Sequence, residues 1–549
     1  MGTYLNPGKT AFEEAVNSEI FVDKTEMIAF LNSVVKTKQK YVCVSRPRRF
    51  GKTMAVDMIC AYYDRDANSR ELFEKQKLSR APEWDRYLGK FDVIRVVMTH
   101  FFKAGVSVEE GLAKLQKLIV RDLMKAYPDV DFFDRDDLQQ SLSDVYEQTN
   151  RQFVIAIDEW DAVFREHKEE KEEQKSYLDY LRNLLKDKDY IALAYMTGIL
   201  PIKKYGKHSA LNMFTEYSMM FPRQLAQYTG FTETEVGELC KRYGRDYEGI
   251  RNWYDGYIVS DIIQPDPDHT EWKATGKALK PVRYSLYSPL SVVEAMNTGA
   301  IKNYWNQTET YEALAEYIRK DYDGLKDAVA LLMDGGRQTI DTSTYQNDMT
   351  TFNGRDDIFS LLVHLGYLGF DDERSEVFIP NREILDEFRT STKTKEWVET
   401  FEAFRLSQDL LKATWEEDAE KVARLLEAAH DRAGNKTYNH EAALSYAIQY
   451  AYYAAQKYYT MIPEFDSGKG YADIVYLPSP RYPEKPALLV ELKYNKDADT
   501  AISQIRRREY LDRLKHYEGN ILLVAIDYDR EISSKSTDYK HHSCRIERA

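Results

Sequence analysis

The residues best suited to phosphate chemistry lie in the run SRPRRFGKT at 45–53, between a short apolar run and a helix-like segment. Backbone N–H groups at the start of a helix, with the helix dipole behind them, attract polyphosphates. Gly51 lets the backbone come close, Lys52 can reach the β- and γ-phosphates, and the Thr53 hydroxyl can ligate Mg²⁺. The run therefore predicts a nucleotide site. Arg46 occupies the place of the first glycine in the usual pattern, so a loop that merely contains Gly-Lys-Thr is the alternative.

A pair of carboxylates follows the apolar run FVIAID at 153–158. Ligands of parallel sheets gather at the carboxyl ends of the strands, so Asp158 is placed to hold Mg²⁺ beside the phosphate loop. Glu159 can orient or deprotonate an attacking water. Thr197 ends the next apolar run and could sense a γ-phosphate, although a strand-ending turn explains it nearly as well. A strand that runs into an acidic turn is the alternative for Asp158, and the Gly-Lys-Thr run upstream favours the metal site.

A third set of residues, Asp473, Glu491 and Lys493, suits phosphodiester hydrolysis. Strand alternation puts Glu491 and Lys493 on one face, and Asp473 meets Glu491 if the two strand-like runs pair. The carboxylates would bind Mg²⁺, which polarises the scissile phosphate, and the lysine would orient water or offset developing charge. A surface strand with alternating charges is the alternative. The apolar run before Glu491 favours the catalytic interpretation.

Other polar residues near this set could extend it. Glu441 and Glu464 lie upstream and could complete the group of carboxylates. Gln504, on a helix predicted at 501–514, could touch a phosphate backbone, and Arg506 and Arg508 add local positive charge for nucleic acid. A solvated helix face is the alternative for the two arginines.

The elements that must position these residues follow an α/β pattern. Near-continuous apolar strands alternate with amphipathic helices up to about residue 235, which predicts a parallel sheet with helices on both faces. The pattern is mostly helical over 236–430 and returns to strands and helices over 431–549. We therefore predict three domains, 1–235, 236–430 and 431–549.

Composition limits the class of protein. The chain has 549 residues, 30% of them charged, and a net charge of −14, so a surface for nucleic acid must be a local patch. It has no apolar run long enough to cross a membrane and no secretory signal, which predicts a cytoplasmic protein without a membrane partner. Its four scattered cysteines, with no C-x-x-C, argue against a disulfide framework or a structural zinc site.

These motifs together resemble a bacterial and archaeal family that joins an AAA-ATPase-like domain to a PD-(D/E)XK nuclease-like domain. The matching runs, in order, are FVDKT at 21–25, RPRRFGKT at 46–53, IDEWD at 157–161, TG at 197–198, WYDGY at 253–257, YSP at 287–289, YW at 304–305, and Glu464 through Asp473 to ELK at 491–493. The missing first glycine is a trait of that family. Trp160 and Ser288 are mild departures, since Tyr and Asn are commoner there.

The resemblance implies a P-loop ATPase core, a helical or winged-helix-like middle region and a C-terminal restriction-endonuclease-like fold. Lys52, Thr53, Asp158 and Glu159 would then bind and hydrolyse ATP. Because Asp158 and Glu159 supply the metal half of the site, we interpret Arg46 and Arg49 as extra cations near the phosphates that tune nucleotide affinity or hydrolysis. Asp473, Glu491 and Lys493 would cut DNA or RNA with Mg²⁺, in defence against mobile elements.

Two other functions stay open from the sequence. A nucleotide-switched binding or signalling module would keep the nuclease-like domain as a non-cleaving nucleic-acid surface. An ATPase motor would need an arginine from a neighbouring subunit, and hence a homo-oligomer.

Overall fold

The structure is a computed structural model that describes residues 2–103, 105–205, 208–209, 211–261, 282–305, 310–319, 322, 324–433, 441–466, 471–495, 520–529 and 541–549. The chain forms two compact units. The first comprises Met1–Asp323 and Gln338–Thr390, and the second comprises Gly324–Arg337 and Ser391–Ala549. The predicted division into three domains stays a prediction.

The α-helices of the described residues are, in chain order, α1 Thr10–Val16, α2 Met27–Val34, α3 Lys52–Tyr63, α4 Arg70–Glu74, α5 Val108–Ala126, α6 Leu138–Thr149, α7 Ala162–Glu166, α8 Lys171–Leu185, α9 Glu233–Tyr243, α10 Tyr247–Tyr254, α11 Pro289–Thr298, α12 Thr310–Arg319, α13 Leu325–Met333, α14 Arg355–Leu365, α15 Arg382–Ser391, α16 Lys395–Trp415, α17 Ala419–Ala433 and α18 Glu441–Ala451.

The strands are β1 Tyr41–Ser45, β2 Asp92–Val97, β3 Phe153–Asp158, β4 Ile191–Gly198, β5 Lys204–Tyr205, β6 His208–Ser209, β7 Thr215–Tyr217, β8 Phe231–Thr232, β9 Tyr257–Asp261, β10 Val282–Tyr287, β11 Gln338–Thr339, β12 Gly369–Asp371, β13 Glu376–Phe378, β14 Tyr459–Asp466, β15 Tyr471–Pro478, β16 Ala487–Tyr494, β17 Ile521–Tyr528 and β18 His542–Arg548.

The first unit is built on a five-stranded sheet of order β2-β3-β4-β1-β7 in which every pair is parallel. The strands β1, β3 and β4 are buried along their whole length, which explains their near-continuous apolar sequences. Val42 and Val44 pack with α2 and α3 on one face. Ile155 and Ile157 face residues of α5, α6 and α8 on the other. The predicted parallel sheet with helices on both faces is therefore confirmed.

The middle of the first unit adds helices and two small antiparallel sheets, β8-β10-β9 and β11-β13-β12. The WYDGY run at 253–257 ends α10 and begins β9. Gly256 has φ +139°, and a Cβ on it would lie 1.8 Å from the carbonyl oxygen of Pro380, so only glycine fits there. The Tyr257 hydroxyl donates to the carbonyl of Gly366 at 2.6 Å. This run therefore serves packing.

The second unit contains a mixed sheet of order β14-β15-β16-β17-β18. Only β16 and β17 are parallel among its described pairs. Leu492 and Ile526 pack with Val422 and Leu426 of α17, and so α17 lies against one face of the sheet. This mixed sheet confirms the α/β class that was predicted for the C-terminal region.

Candidate functional site

The phosphate-loop residues connect β1 to α3 in the first unit. Ser45 ends β1, and α3 begins at Lys52 directly after Gly51, which has φ +85°. Glycine adopts this left-handed conformation at little cost, and the position of its absent Cβ faces open space. Arg49 is also left-handed, with φ +67°, and its side chain is exposed. The loop therefore exposes its backbone at the start of a twelve-residue helix.

The predicted magnesium residues are in direct contact. The Thr53 hydroxyl donates to Oδ2 of Asp158 at 2.8 Å, and the backbone N–H of Glu159 donates to Oδ1 of Asp158 at 3.0 Å. Burial raises the pKa of Asp158 although Thr53 and Lys52 oppose this rise. A cation at this carboxylate would offset the cost of its burial. Two neighbouring oxygen donors are a set that fits Mg²⁺.

Lys52 is folded across the loop. Its Nζ donates to the carbonyl oxygens of Arg46 at 3.0 Å and Pro47 at 2.7 Å. Burial lowers the pKa of Lys52 to about 8, and the nearby carboxylates only partly oppose this effect. A bound polyphosphate would supply the negative charge that favours the protonated amine.

Glu159 is held by an arginine that the sequence analysis did not single out. Glu159 has φ +52°, and its Oε2 lies 3.0 Å from Nη2 of Arg165 in α7. Burial alone would raise the pKa of Glu159, but the charge and hydrogen bond of Arg165, with smaller contributions from Thr99 and Lys52, outweigh it and lower the pKa. Arg165 also lies 3.7 Å from Asp161. The i, i+4 spacing of Asp161 and Arg165 is the sequence signal that could have found this group.

Asp161 joins the ends of β3 and β4. Its Oδ2 accepts from the backbone N–H groups of Ile199 and Leu200, both at 3.0 Å. A Cβ on Gly198 would lie 2.6 Å from Oδ1 of Asp161, so the glycine lets the turn approach the carboxylate. The third acidic residue of the run at 157–161 therefore shapes the strand ends, while Asp158 faces Thr53.

A cavity of about 820 Å³ adjoins these residues. Its charged part contains Arg48, Arg49, Lys52, Glu159 and Arg165, together with Thr53. Its apolar part is lined by Phe12, Ile20, Phe21, Val22, Tyr228, Phe231, Leu290 and Val293. A charged end beside an apolar end suits a ligand with a phosphate tail and a flat base.

Arg46 and Thr197 do not face this cavity, contrary to prediction. The Arg46 guanidinium is fully buried and donates to the carbonyl oxygens of Ser45 at 2.9 Å and Tyr217 at 2.7 Å. Its burial lowers its pKa to about 10. The Thr197 hydroxyl donates to the carbonyl of Val44 at 2.8 Å inside the sheet. Both side chains bond main-chain carbonyls, so neither is placed to contact phosphate in this structure.

The second unit brings together the three predicted nuclease residues. β15 and β16 are antiparallel, and Ile474 lies opposite Val490. Asp473 and Glu491 are the next residues in this register, so their backbones lie opposite each other at the end of the paired segment. Oδ2 of Asp473 accepts from the backbone N–H of Leu492 at 2.6 Å. The Lys493 ammonium lies 2.9 Å from Oε1 of Glu491, and both side chains are buried. The two carboxylates are oxygen donors that fit a divalent cation.

The remaining predicted residues are only partly described. Glu464 lies in β14 between Pro463 and Phe465, which pair with Ile474 and Ala472, so its backbone is opposite Asp473. Glu441 is the first residue of α18. The side chains of both glutamates lie outside the described residues, as do Gln504, Arg506, Arg508 and the helix predicted at 501–514.

Family models match both parts of the chain. Residues 8–206 match an AAA-ATPase-like family described as a predicted AAA-ATPase. Residues 443–537 match the PD-(D/E)XK nuclease superfamily. The chain therefore joins an AAA-ATPase-like domain to a PD-(D/E)XK nuclease-like domain, which confirms the resemblance drawn from its motifs.

Solved structures from Aeropyrum pernix show a weaker likeness. The ORC2 protein in ADPNP–ADP complexes is 11% identical, with 70% of this chain and 97% of that chain covered and a TM-score of 0.29. The ORC1 protein in complex with DNA is 11% identical, with 73% and 99% covered and a TM-score of 0.24. These TM-scores are too low to support a common fold. No curated protein matches the sequence. Within the described ranges, no helix combines the length and apolarity needed to cross a bilayer.

Proposed function

We propose that the chain is an ATP-binding and ATP-hydrolysing protein coupled to a Mg²⁺-dependent nuclease that acts on DNA or RNA in the cytoplasm. The observation that carries the proposal is the meeting of Asp473, Glu491 and Lys493 in a domain that matches the PD-(D/E)XK superfamily. A role in defence against mobile elements is the biological setting we favour.

The residues around the cavity support ATP chemistry. The Gly51 backbone and the start of α3 would bind phosphate, and Lys52 would exchange its loop carbonyls for phosphate oxygens. Thr53 and Asp158 would hold Mg²⁺, and the bound ion would neutralise part of the negative charge of the phosphates. Glu159 would accept a proton from the attacking water, and Arg165 keeps its carboxylate charged and oriented.

The residues of the second unit support phosphodiester cleavage. Asp473 and Glu491 would hold Mg²⁺, which supplies polarisation of the scissile phosphate when bound. Asp473 is fixed by the Leu492 N–H, and Lys493 fixes Glu491. The Lys493 ammonium would orient the water or offset charge on the phosphate. Glu464 and Glu441 are proposed as further carboxylates, and Gln504, Arg506 and Arg508 as contacts to nucleic acid.

Cleavage of plasmid, single-stranded DNA and RNA tests this function. We expect cutting with Mg²⁺ or Mn²⁺ that EDTA abolishes and that changes when ATP is added. Asp473→Ala should reduce cutting about 100-fold or more and leave ATP binding unaltered. Asp409→Ala, at an exposed position of α16, is the matched control. An unchanged rate in Asp473→Ala would refute the assignment.

The same experiment decides the alternative of a non-cleaving module. In that case, no substrate is cut under any metal condition, yet nucleic acid binds and its affinity depends on ATP. The ion pair between Lys493 and Glu491 is the observation that favours it, because it occupies one oxygen of a carboxylate needed for the metal.

A further inference from the structure

A group of imidazole and carboxylate side chains lies in the second unit, apart from Asp473, Glu491 and Lys493. Glu427 and His430 lie one turn apart in α17, and His542 begins β18. One ligand atom of each residue lies within 4.8 Å of those of the other two. The i, i+3 spacing puts Glu427 and His430 on the same face of the helix.

Burial and hydrogen bonds prepare this group for a cation. His430 and His542 are 1% and 3% exposed. Oε2 of Glu427 accepts from Nδ1 of His542 at 2.9 Å and from the backbone N–H groups of His541 and His542 at 2.9 and 3.0 Å.

The His542 ring faces the carboxylate of Glu427 through Nδ1, which lies 2.9 Å from Oε2. A neutral imidazole nitrogen and a carboxylate oxygen are both ligands for Zn²⁺. An ion bound between these two atoms would take the place of the proton that they share.

The group lies on the opposite face of the sheet from Glu491 and Lys493. His542 is paired with Tyr528, and Tyr528 shares a core cluster with Leu492 and Ile526 on the side of α17. Side chains alternate along a strand, so Glu491 and Lys493 point away from that side. The group is therefore separate from the candidate nuclease residues.

We propose that Glu427, His430 and His542 bind one Zn²⁺ ion that fastens α17 to the start of β18. Two imidazoles and one carboxylate suit Zn²⁺, whereas Mg²⁺ and Ca²⁺ prefer oxygen ligands alone. Glu427 and His542 are 115 positions apart, so the ion would cross-link distant parts of the chain. The cysteine pattern that argued against structural zinc does not bear on this ligand set.

Zinc binding by the full chain, with no histidine tag, tests the proposal. After chelator treatment, loading with Zn²⁺ and gel filtration, we expect about one ion per chain by elemental analysis and a higher temperature of unfolding. His430→Gln should weaken Zn²⁺ binding about 100-fold or more and abolish the rise in temperature. The control is His167→Gln directly after the end of α7, where His167 pairs with Glu170 at 3.0 Å outside this group. All chains carry Asp473→Asn, so that the nuclease residues do not compete for the ion.

Titration with Co²⁺ keeps the test decisive if His430→Gln does not fold. Co²⁺ bound by nitrogen ligands should give visible absorption bands in the otherwise unaltered chain, and Zn²⁺ should remove them. Equal retention of zinc by the His430→Gln chain would overturn the proposal. Without Co²⁺ bands that Zn²⁺ displaces, the proposal is also overturned.

Discussion

The hydroxyl of Thr53 donates to the carboxylate of Asp158 at 2.8 Å, although the two residues are 105 positions apart. Parallel pairing places Ser45 beside Gly198 and Thr197 beside Asp158, so β1, β4 and β3 end at the same edge of the sheet. Because α3 begins at that edge, Thr53 reaches Asp158.

Removing the charge of Asp158 should slow ATP hydrolysis while ATP binding stays nearly unchanged. Asp158→Asn keeps the side-chain shape but weakens the oxygen set for Mg²⁺, so we expect ATP hydrolysis to fall about 100-fold or more. ATP binding in EDTA should change little because Lys52 and the loop remain. Asp179→Asn, on an exposed part of α8, is the matched control. Normal turnover by Asp158→Asn would exclude this carboxylate from the metal site.

ATP binding should weaken at alkaline pH because of Lys52. Its pKa is lowered to about 8 by burial, so the free protein loses this positive charge as the pH rises through 8. Each further pH unit should raise the Kd for ATP about tenfold, until the pKa of the complex is reached. Fluorescence titrations between pH 7 and 9.5 measure this. Lys52→Met should bind weakly at every pH, and a flat profile in the unaltered protein would contradict the prediction.

Changing Arg46 or Arg49 to methionine should affect different properties of the protein. Arg46→Met should lower its stability, and Arg49→Met should lower its affinity for ATP. Arg46→Met removes the buried donor that bonds the carbonyls of Ser45 and Tyr217, which should cost about 2 kcal/mol of unfolding free energy. ATP affinity of the folded chain should stay within about threefold. Arg49→Met removes an exposed cation that lines the cavity, so affinity should fall and stability should stay the same.

Thermal unfolding and ATP titration of the two variants form a single matched test. The outcome against our interpretation is a loss of ATP affinity in Arg46→Met without any loss of stability. That result would restore the original prediction that Arg46 contacts the nucleotide.

Lys493 should be required for cleavage and not for folding. Lys493→Gln retains a hydrogen-bond donor for Glu491 but removes the positive charge near the scissile phosphate. We expect the cleavage rate to fall about 100-fold, with a temperature of unfolding close to that of the unaltered chain. Lys412→Gln, at an exposed position of α16, is the control. Equal cleavage by both variants would remove Lys493 from the mechanism.

Glu383 should make the first unit less stable as the pH rises. Oε1 of this buried residue accepts from the N–H groups of Tyr304 and Trp305, and Oε2 accepts from the Ser291 hydroxyl. Burial raises the pKa of Glu383 from 4.5 to about 7. The folded state therefore keeps a proton that the unfolded state releases, and stability falls between about pH 4.5 and 7 by up to ~3 kcal/mol.

Glu383→Gln should remove this dependence, because glutamine can accept from the two N–H groups and donate to Ser291. We expect a higher temperature of unfolding than that of the unaltered chain at pH 8 and a similar one at pH 5. Glu71→Gln, at an exposed position, should match the unaltered chain at both values. An equal shift at pH 5 and pH 8 would argue against titration of Glu383.

Local sequence determined the α/β class and the order of the elements. A strand that is buried on both faces has a continuous apolar sequence, so it can be predicted without knowing which strand it pairs with. The run Gly51-Lys52-Thr53 likewise predicts the start of α3 from local sequence alone. Alternation along β16 was sufficient to place Glu491 and Lys493 on one face, where their side chains are 2.9 Å apart.

Tertiary structure decided which side chains meet across the chain. Arg46 was expected at the phosphates because it occupies the place of the first glycine in the phosphate-loop pattern, yet it turns inward to the carbonyl of Tyr217, 171 positions away. Glu427, His430 and His542 come together only when α17 packs on β18. Sequence patterns encode the period and burial of each element, whereas contacts between distant residues depend on how the elements pack.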